Sequence, residues 1–366
     1  MSDISHFYKF ICLTKISVQL KTLNLTYELS RQFLLYNINM DKLLEKLTNK
    51  IKLEPSAEVY IKRANVYFLE QKYKDAILDF TSALSFEDCP NIVYYLRGGC
   101  FHKYGDNIKA LEDLNVAVDL VNTPNVYYVR GDVYGALKQY CKAINDYSQA
   151  IAMQKDFPSA YWKRGYCYCE MGKYSKAIED YNKALETYSD NADLYNDRAF
   201  AYWQEVNKFF SSKNKLSNVI ADFSKVIELN SKRQKAYTDR GHAYYQNKEY
   251  EKSNSDYETF INLKETNSGD KSYESYLSIA FAKGRIGVNQ MKLKQFDNAI
   301  FNLEESIGND QCASTFPFFL SSLAFCYFAK RAYRKALTLY IKAISHKISQ
   351  VLCYPLYIIL DKFYNE

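Results

Sequence analysis

Cys167 and Cys169, two thiols separated by a single residue, are the side chains of this chain that most suggest metal chemistry. Thiolates bind zinc when several of them converge on one point. The residues around this pair have helical periodicity, and residues two apart on a helix point to different sides. None of the nine cysteines forms a Cys-x-x-Cys pair, and the four histidines are scattered along the chain. We therefore predict no metal site and no cofactor.

The cysteines also bear on the compartment of the protein. Their number is odd, and most of them fall on predicted buried faces of helices, which favours unpaired thiols over a disulfide framework. Lys9 and Lys15 interrupt the N-terminal apolar run, so we predict no signal peptide. No stretch is both uncharged and apolar over the roughly 18 residues that a membrane span requires. We predict a cytoplasmic protein without a membrane span.

Charged side chains form a second candidate for chemistry, because arginine and aspartate recur together. The arginines are Arg63, Arg97, Arg130, Arg164, Arg198 and Arg240, and the aspartates are Asp79, Asp113, Asp146, Asp180, Asp222 and Asp256. An arginine paired with a carboxylate tolerates partial burial better than either group alone. We predict structural ion pairs, formed within a repeat or across one repeat boundary. The alternative, arginines gathered around a phosphate or carboxylate ligand, is weaker because the matched aspartates neutralise them.

These charged residues follow an internal repeat. Each arginine directly precedes a small residue, and the small residues are Ala64, Gly98, Gly131, Gly165, Ala199 and Gly241. The steps between them are 34, 33, 34, 34 and 42 residues. Within one copy, at 158–189, apolar and small residues recur at helical spacing on both sides of Gly172, which suits a turn. One such helix pair cannot bury its apolar face alone and must stack on its neighbours.

The order of small and aromatic residues in each copy resembles the tetratricopeptide repeat, a helix–turn–helix unit of about 34 residues. One copy shows the order well, with Tyr161, Gly165, Tyr168, Tyr174, Ala177, Tyr181 and Ala184. The resemblance covers 57–344 and implies an all-α, right-handed superhelical solenoid of stacked antiparallel helix pairs, with about eight repeats. Two copies are divergent, and both lack the arginine and the aspartate.

The repeat also predicts how the chain is divided. We predict a partly disordered helical or capping segment at 1–56, six well-matched units at 57–261 with an insertion at 203–218, an insertion or hinge at 262–279, two divergent units at 280–347, and a C-terminal capping helix at 348–366.

No catalytic motif was found in the sequence. It has no glycine-rich phosphate loop, no His-Glu-x-x-His and no nucleophile elbow. The repeat leaves no room for a catalytic domain, so we predict that the protein is not an enzyme. The resemblance implies binding of peptides or proteins in a concave groove lined by the first helix of each unit. The side chains that we place there are Tyr95, Tyr128, Trp162, Tyr166, Phe200, Trp203, His242 and Tyr245. The alternative for these rings is packing against the next helix.

The sequence narrows the choice of partner. Co-chaperones that resemble this array hold a C-terminal carboxylate with lysine, asparagine and arginine. The matching positions in the first three copies are Ile61, Asn65, Leu96, Asn125 and Val129, and only Asn65 fits. We therefore predict no clamp of that kind and a scaffold or adaptor for another protein or peptide. The alternatives are a helical-repeat RNA-binding protein, which the low net charge of +6 argues against, and a self-assembling protein.

Overall fold

The structure is a computed structural model that describes residues 40–209, 213–266, 272–308 and 317–345. This part of the chain contains seventeen α-helices and no strand. In chain order they are α1 Met40–Leu53, α2 Ala57–Leu69, α3 Tyr73–Ala83, α4 Ile92–Tyr104, α5 Asn107–Val121, α6 Pro124–Ala136, α7 Tyr140–Met153, α8 Pro158–Glu170, α9 Tyr174–Leu185, α10 Ala192–Phe209, α11 Lys213–Leu229, α12 Gln234–Gln246, α13 Tyr250–Thr266, α14 Tyr273–Lys292, α15 Phe296–Ile307, α16 Pro317–Ala329 and α17 Tyr333–Ser345.

The helices form two compact units that meet in the chain between Cys167 and Tyr168. In the first unit, α2 packs on α3, α4 on α5, and α6 on α7. In the second unit, α10 packs on α11, α12 on α13, α14 on α15, and α16 on α17. Consecutive pairs within each unit also pack on each other. The prediction of an all-α chain built from packed helix pairs is confirmed. No described helix combines the length and the apolar character needed to cross a bilayer.

Each helix pair is held by a large side chain of the second helix that meets the small residue of the first helix. In α6 and α7, a β-carbon added to Gly131 would lie 2.8 Å from Cε1 of Tyr147, which is fully buried. In α14 and α15, a β-carbon on Gly287 would lie 2.7 Å from Cγ of Leu303. Such distances leave no room for a methyl group. The small residue of the repeat therefore leaves the space that the large side chain of the second helix fills. We call this space the socket.

In the seven helix pairs whose turn lies among the described residues, the backbone holds the turn. Its central residue has a positive φ, and the next amide donates to the carbonyl five residues earlier, as Gln139 does to Tyr134. This bond closes the end of the first helix as a Schellman motif. Glycine fills the position only at Gly105 and Gly172; elsewhere it is Gln71, Lys138, Lys248, Lys294 and Arg331. The glycine expected at Gly172 is therefore present, but the turn does not require glycine.

The interruptions of the repeat are largely helical. Helix α10 runs on to Phe209 and α11 begins at Lys213, so the insertion at 203–218 lengthens both helices of one pair. The segment at 262–279 lies in helix at both ends, because α13 continues to Thr266 and α14 begins at Tyr273. Helix α1 packs on α2 through Leu47 against Val59 and Val66, as a capping helix would. The predicted capping helix at 348–366, and residues 1–39, lie outside the described residues.

The socket can be tested with two glycines of the first unit. Gly131→Ala should lower the free energy of unfolding by about 1–3 kcal/mol, because its methyl group overlaps the Tyr147 ring. Gly99→Ala is the matched control, since a β-carbon there meets no atom within 4 Å. This control should raise stability by up to about 1 kcal/mol through helix propensity. Urea unfolding of both variants measures the difference, and equal stabilities would contradict the socket.

Candidate functional site

The structure brings five of the six predicted arginine–aspartate pairs together, each between the two helices of one copy. In the first pair, Nε and Nη2 of Arg63 donate to the two carboxylate oxygens of Asp79, both at 2.7 Å. The same bidentate geometry recurs at 2.6–2.9 Å in the others, which are Arg97 with Asp113, Arg130 with Asp146, Arg198 with Asp222, and Arg240 with Asp256. Arg164 and Asp180 lie in different units, and their pairing stays a prediction.

Each arginine has a second partner that the sequence reasoning missed. Nη1 of Arg97 donates to Oγ1 of Thr81, which lies on the second helix of the preceding copy. The corresponding acceptors are Thr48 for Arg63, Asn115 for Arg130, Ser148 for Arg164, Asn182 for Arg198, and Ser224 for Arg240. From Thr81 onward the acceptor always stands two residues after an aspartate of the repeat. From that spacing, the acceptors could have been predicted from the sequence. Thr48 lies on α1, so α1 takes the place of a second helix.

Aromatic rings of its own helix cover each guanidinium. The carbon of the Arg130 guanidinium lies 5.6 Å from the centre of the Tyr127 ring and 5.8 Å from that of Tyr134. Cation–π contacts of this kind favour the charged form. Hydrogen bonding to the aspartate raises the pKa of Arg130 further above its ordinary value. The donors and the charge of these arginines are thus taken up inside the fold and do not form a ligand site.

The ion pairs give a stability prediction. Arg130→Met should cost about 3–5 kcal/mol, because it leaves the carboxylate of Asp146, 1% exposed, without its partner. The double variant Arg130→Met, Asp146→Leu should recover much of that loss, since it removes the unpaired charge. Lys62→Met, which breaks an exposed pair with Glu58 in the same unit, is the control and should change stability much less. Urea unfolding would contradict the interpretation if the double variant were no more stable than Arg130→Met.

In the first unit, packing accounts for part of the predicted groove. Tyr95 packs on the cluster around Leu114, and burial raises its pKa to about 12. The Tyr128 ring lies 5.8 Å from that of Tyr147, between centroids, and is partly buried. Trp162 is also partly buried, whereas Tyr166 is 47% exposed. The alternative of packing against a neighbouring helix thus applies to Tyr95 and Tyr128, and Tyr166 is the ring that solvent reaches most.

In the second unit two of the four predicted rings, Trp203 and His242, stack on each other. Phe200 is 51% exposed. The centroids of the Trp203 and His242 rings are 4.9 Å apart, and both residues are partly buried. Burial, together with the charge of Arg285, lowers the pKa of His242 to about 4. The imidazole is therefore neutral at physiological pH and supplies a flat surface without a charge.

The sequence reasoning did not single out Arg285, which lies in the same unit as this stack. Its guanidinium carbon is 4.4 Å from the centre of the Tyr245 ring, and its charge acts on His242. Its charge also acts on the hydroxyl of the buried Tyr257, where it opposes the rise in pKa that burial causes. Its Nε and Nη2 are buried and have no hydrogen-bond partner among the described residues. Ile286 occupies the arginine position of the repeat in this copy. The only signal in the sequence was that an arginine stands directly before it.

The electrostatic contact between Arg285 and His242 can be measured. Arg285→Met should raise the pKa of His242 from about 4, because it removes a nearby positive charge. The pKa should stay below its ordinary value, since burial is the larger cause and remains. An NMR titration follows the four histidines, with His242→Gln identifying the resonance. An unchanged pKa would mean that the guanidinium does not face the imidazole in solution.

Comparison with known proteins finds the same repeat. Models described as TPR repeat match residues 131–171 and 165–205, and one described as tetratricopeptide repeat matches 234–267. No curated protein matches the chain significantly. The C-terminal part of a TPR repeat-containing protein from Cytophaga hutchinsonii superposes with a TM-score of 0.58 at 16% identity, over 69% of this chain and 97% of that one. This similarity supports the fold.

Two further solved structures align less closely. A tetratricopeptide repeat protein from Parabacteroides merdae gives a TM-score of 0.46 at 18% identity, over 75% of this chain and 99% of that one. YrrB, described as a TPR protein with an unusual peptide-binding site, gives 0.43 at 18% identity, over 53% of this chain and 96% of that one.

Proposed function

This chain is a tetratricopeptide repeat protein, and from that premise we propose that it is a non-catalytic scaffold for another protein. It binds an extended peptide or a helix of its partner through aromatic side chains on the first helices of its repeats. The observation that carries the proposal is the exposure of a predicted groove ring in each unit, Tyr166 at 47% and Phe200 at 51%. Each follows directly after the buried small residue of its copy, Gly165 or Ala199.

Exposed rings at these positions favour binding over packing. Aromatic side chains bury a large area and lose little conformational entropy when they are fixed, which makes them frequent hot spots of interfaces. In the second unit Phe200 stands on the same helix as Trp203, whose stack with His242 supplies further apolar surface. The partner is therefore a peptide or helix with apolar side chains.

The nucleic-acid alternative has less support. Binding of single strands requires cations along the path of the phosphates, beside rings that stack on bases. Five arginines of the first helices are engaged with aspartates of their own copies. Asp193 lies on the same helix as Phe200, and Asp132 lies on the first helix of the copy before that of Tyr166. A protein partner fits this balance of charges better.

The proposal is tested with one variant in each unit. Random peptides are selected on the immobilised wild-type protein, and the selected peptides are titrated by fluorescence anisotropy. Tyr166→Ala or Phe200→Ala should weaken binding about tenfold or more, as the loss of a hot-spot ring does. Both rings are half exposed, so circular dichroism should show an unchanged fold.

Two exposed rings elsewhere serve as controls. Tyr104→Ala in the first unit, 57% exposed, and Phe301→Ala in the second unit, 64% exposed, should bind as the wild type does. Phe301 lies on a second helix, α15, and Tyr104 is the last residue of α4. Equal affinities for all variants would show that the binding surface lies elsewhere, and failure to select any peptide would oppose the proposed function itself.

A further inference from the structure

The five bidentate ion pairs show how this chain engages a guanidinium. In every one of them the carboxylate accepts from Nε and Nη2 of the arginine, at 2.6–2.9 Å. Nη1 is used differently, since it donates to a hydroxyl or amide oxygen of the preceding copy. The edge formed by Nε and Nη2 is thus the carboxylate-binding edge throughout the described repeats.

Arg285 has the same edge without the carboxylate. Its Nε and Nη2 are the two guanidinium nitrogens that are buried and lack a hydrogen-bond partner among the described residues. Asp256, the repeat aspartate of the preceding copy, is already held by Arg240 in bidentate geometry. Buried donors of a cation are costly when they are left unmatched, so a carboxylate that reaches this edge gains affinity.

The surroundings of Arg285 are aromatic and neutral. Its guanidinium carbon lies 4.4 Å from the centre of the Tyr245 ring. His242, which is uncharged at neutral pH, lies within range of its charge and stacks on Trp203 at 4.9 Å between centroids. Arg285 as a whole is partly exposed, so solvent reaches part of this side chain.

We propose that Arg285 binds the carboxylate of an aspartate or glutamate side chain in the peptide that the second unit holds, with Trp203, His242 and Tyr245 as an apolar wall beside it. This inference rests on the proposed function and specifies its ligand as acidic. A carboxylate fits better than a phosphate, because one guanidinium balances one carboxylate charge, whereas a phosphoryl group carries close to two. The arrangement differs from the C-terminal carboxylate clamp whose absence the sequence predicts, because it uses a single cation beside aromatic rings.

Two peptide libraries test the proposal. Both contain acetylated and amidated decapeptides with random flanks, and the central residue is glutamate in one library and glutamine in the other. Wild type should retain the glutamate library about tenfold better, the difference that a hydrogen-bonded charge pair makes. Arg285→Met should lose this preference and still bind peptides. Arg334→Met, which removes an exposed arginine of the same unit, should keep it.

Three further measurements test whether Arg285 itself contacts the carboxylate of the peptide. Arg285→Lys preserves the charge but not the bidentate edge, so it should reduce the preference without abolishing it. Addition of a selected glutamate peptide should raise the pKa of His242, because it neutralises the charge of Arg285. A phosphoserine library retained better than the glutamate library would overturn the choice of a carboxylate.

The inference and the proposed function can fail separately. Peptide binding with no preference for glutamate over glutamine would overturn the role of Arg285 and leave the scaffold in place. No binding of any library by the wild type would oppose both. If Arg285→Met destabilised the protein as much as Arg240→Met and no preference were found, the carboxylate would belong to the chain itself, and the proposal would be wrong.

Discussion

The helix pairs within each unit depend on one close approach, in which a large side chain of the second helix packs on a residue of the first helix with little or no side chain. Gly131 and Tyr147 show how tight it is, because not even a methyl group fits between them. A contact of this kind fixes how far the two helices are shifted along each other. Other side chains at fixed positions are then brought together in every copy.

The ion pairs follow from that shift. The arginine stands one residue before the socket, and the aspartate one residue before the large side chain, so the apolar contact aligns the polar one. In the divergent copies the socket persists at Gly287 with Leu303, but Ile286 and Asn302 replace the charged pair. The apolar contact is therefore the common element of the repeat. The salt bridge was added where both charges could be shielded together, since either one alone would be costly to bury.

The repeat, the helix pairs and the pairing of Arg63 with Asp79 could be predicted from the sequence, because the same residue types return at constant spacing. Thr81 and its counterparts were missed because threonine, serine and asparagine share the role. Arg285 was missed because it stands one position out of register with the repeat. Tyr95 and Tyr166 could not be separated either, since a helical pattern assigns a face but not the extent to which a neighbouring helix covers it.

The second partner of each arginine has a consequence for how the protein loses its structure. In the first unit, Thr48 joins α1 to α2 and Thr81 joins α3 to α4, so each helix pair is tied by polar bonds to its predecessor. In a linear array such links act as nearest-neighbour couplings, and they set the length over which opening spreads cooperatively. In the divergent helix pair α14–α15, Ile286 stands in the register of the arginine and Asn302 in that of the aspartate. Amide exchange is thus expected to be slowest where the arginines tie successive helix pairs together.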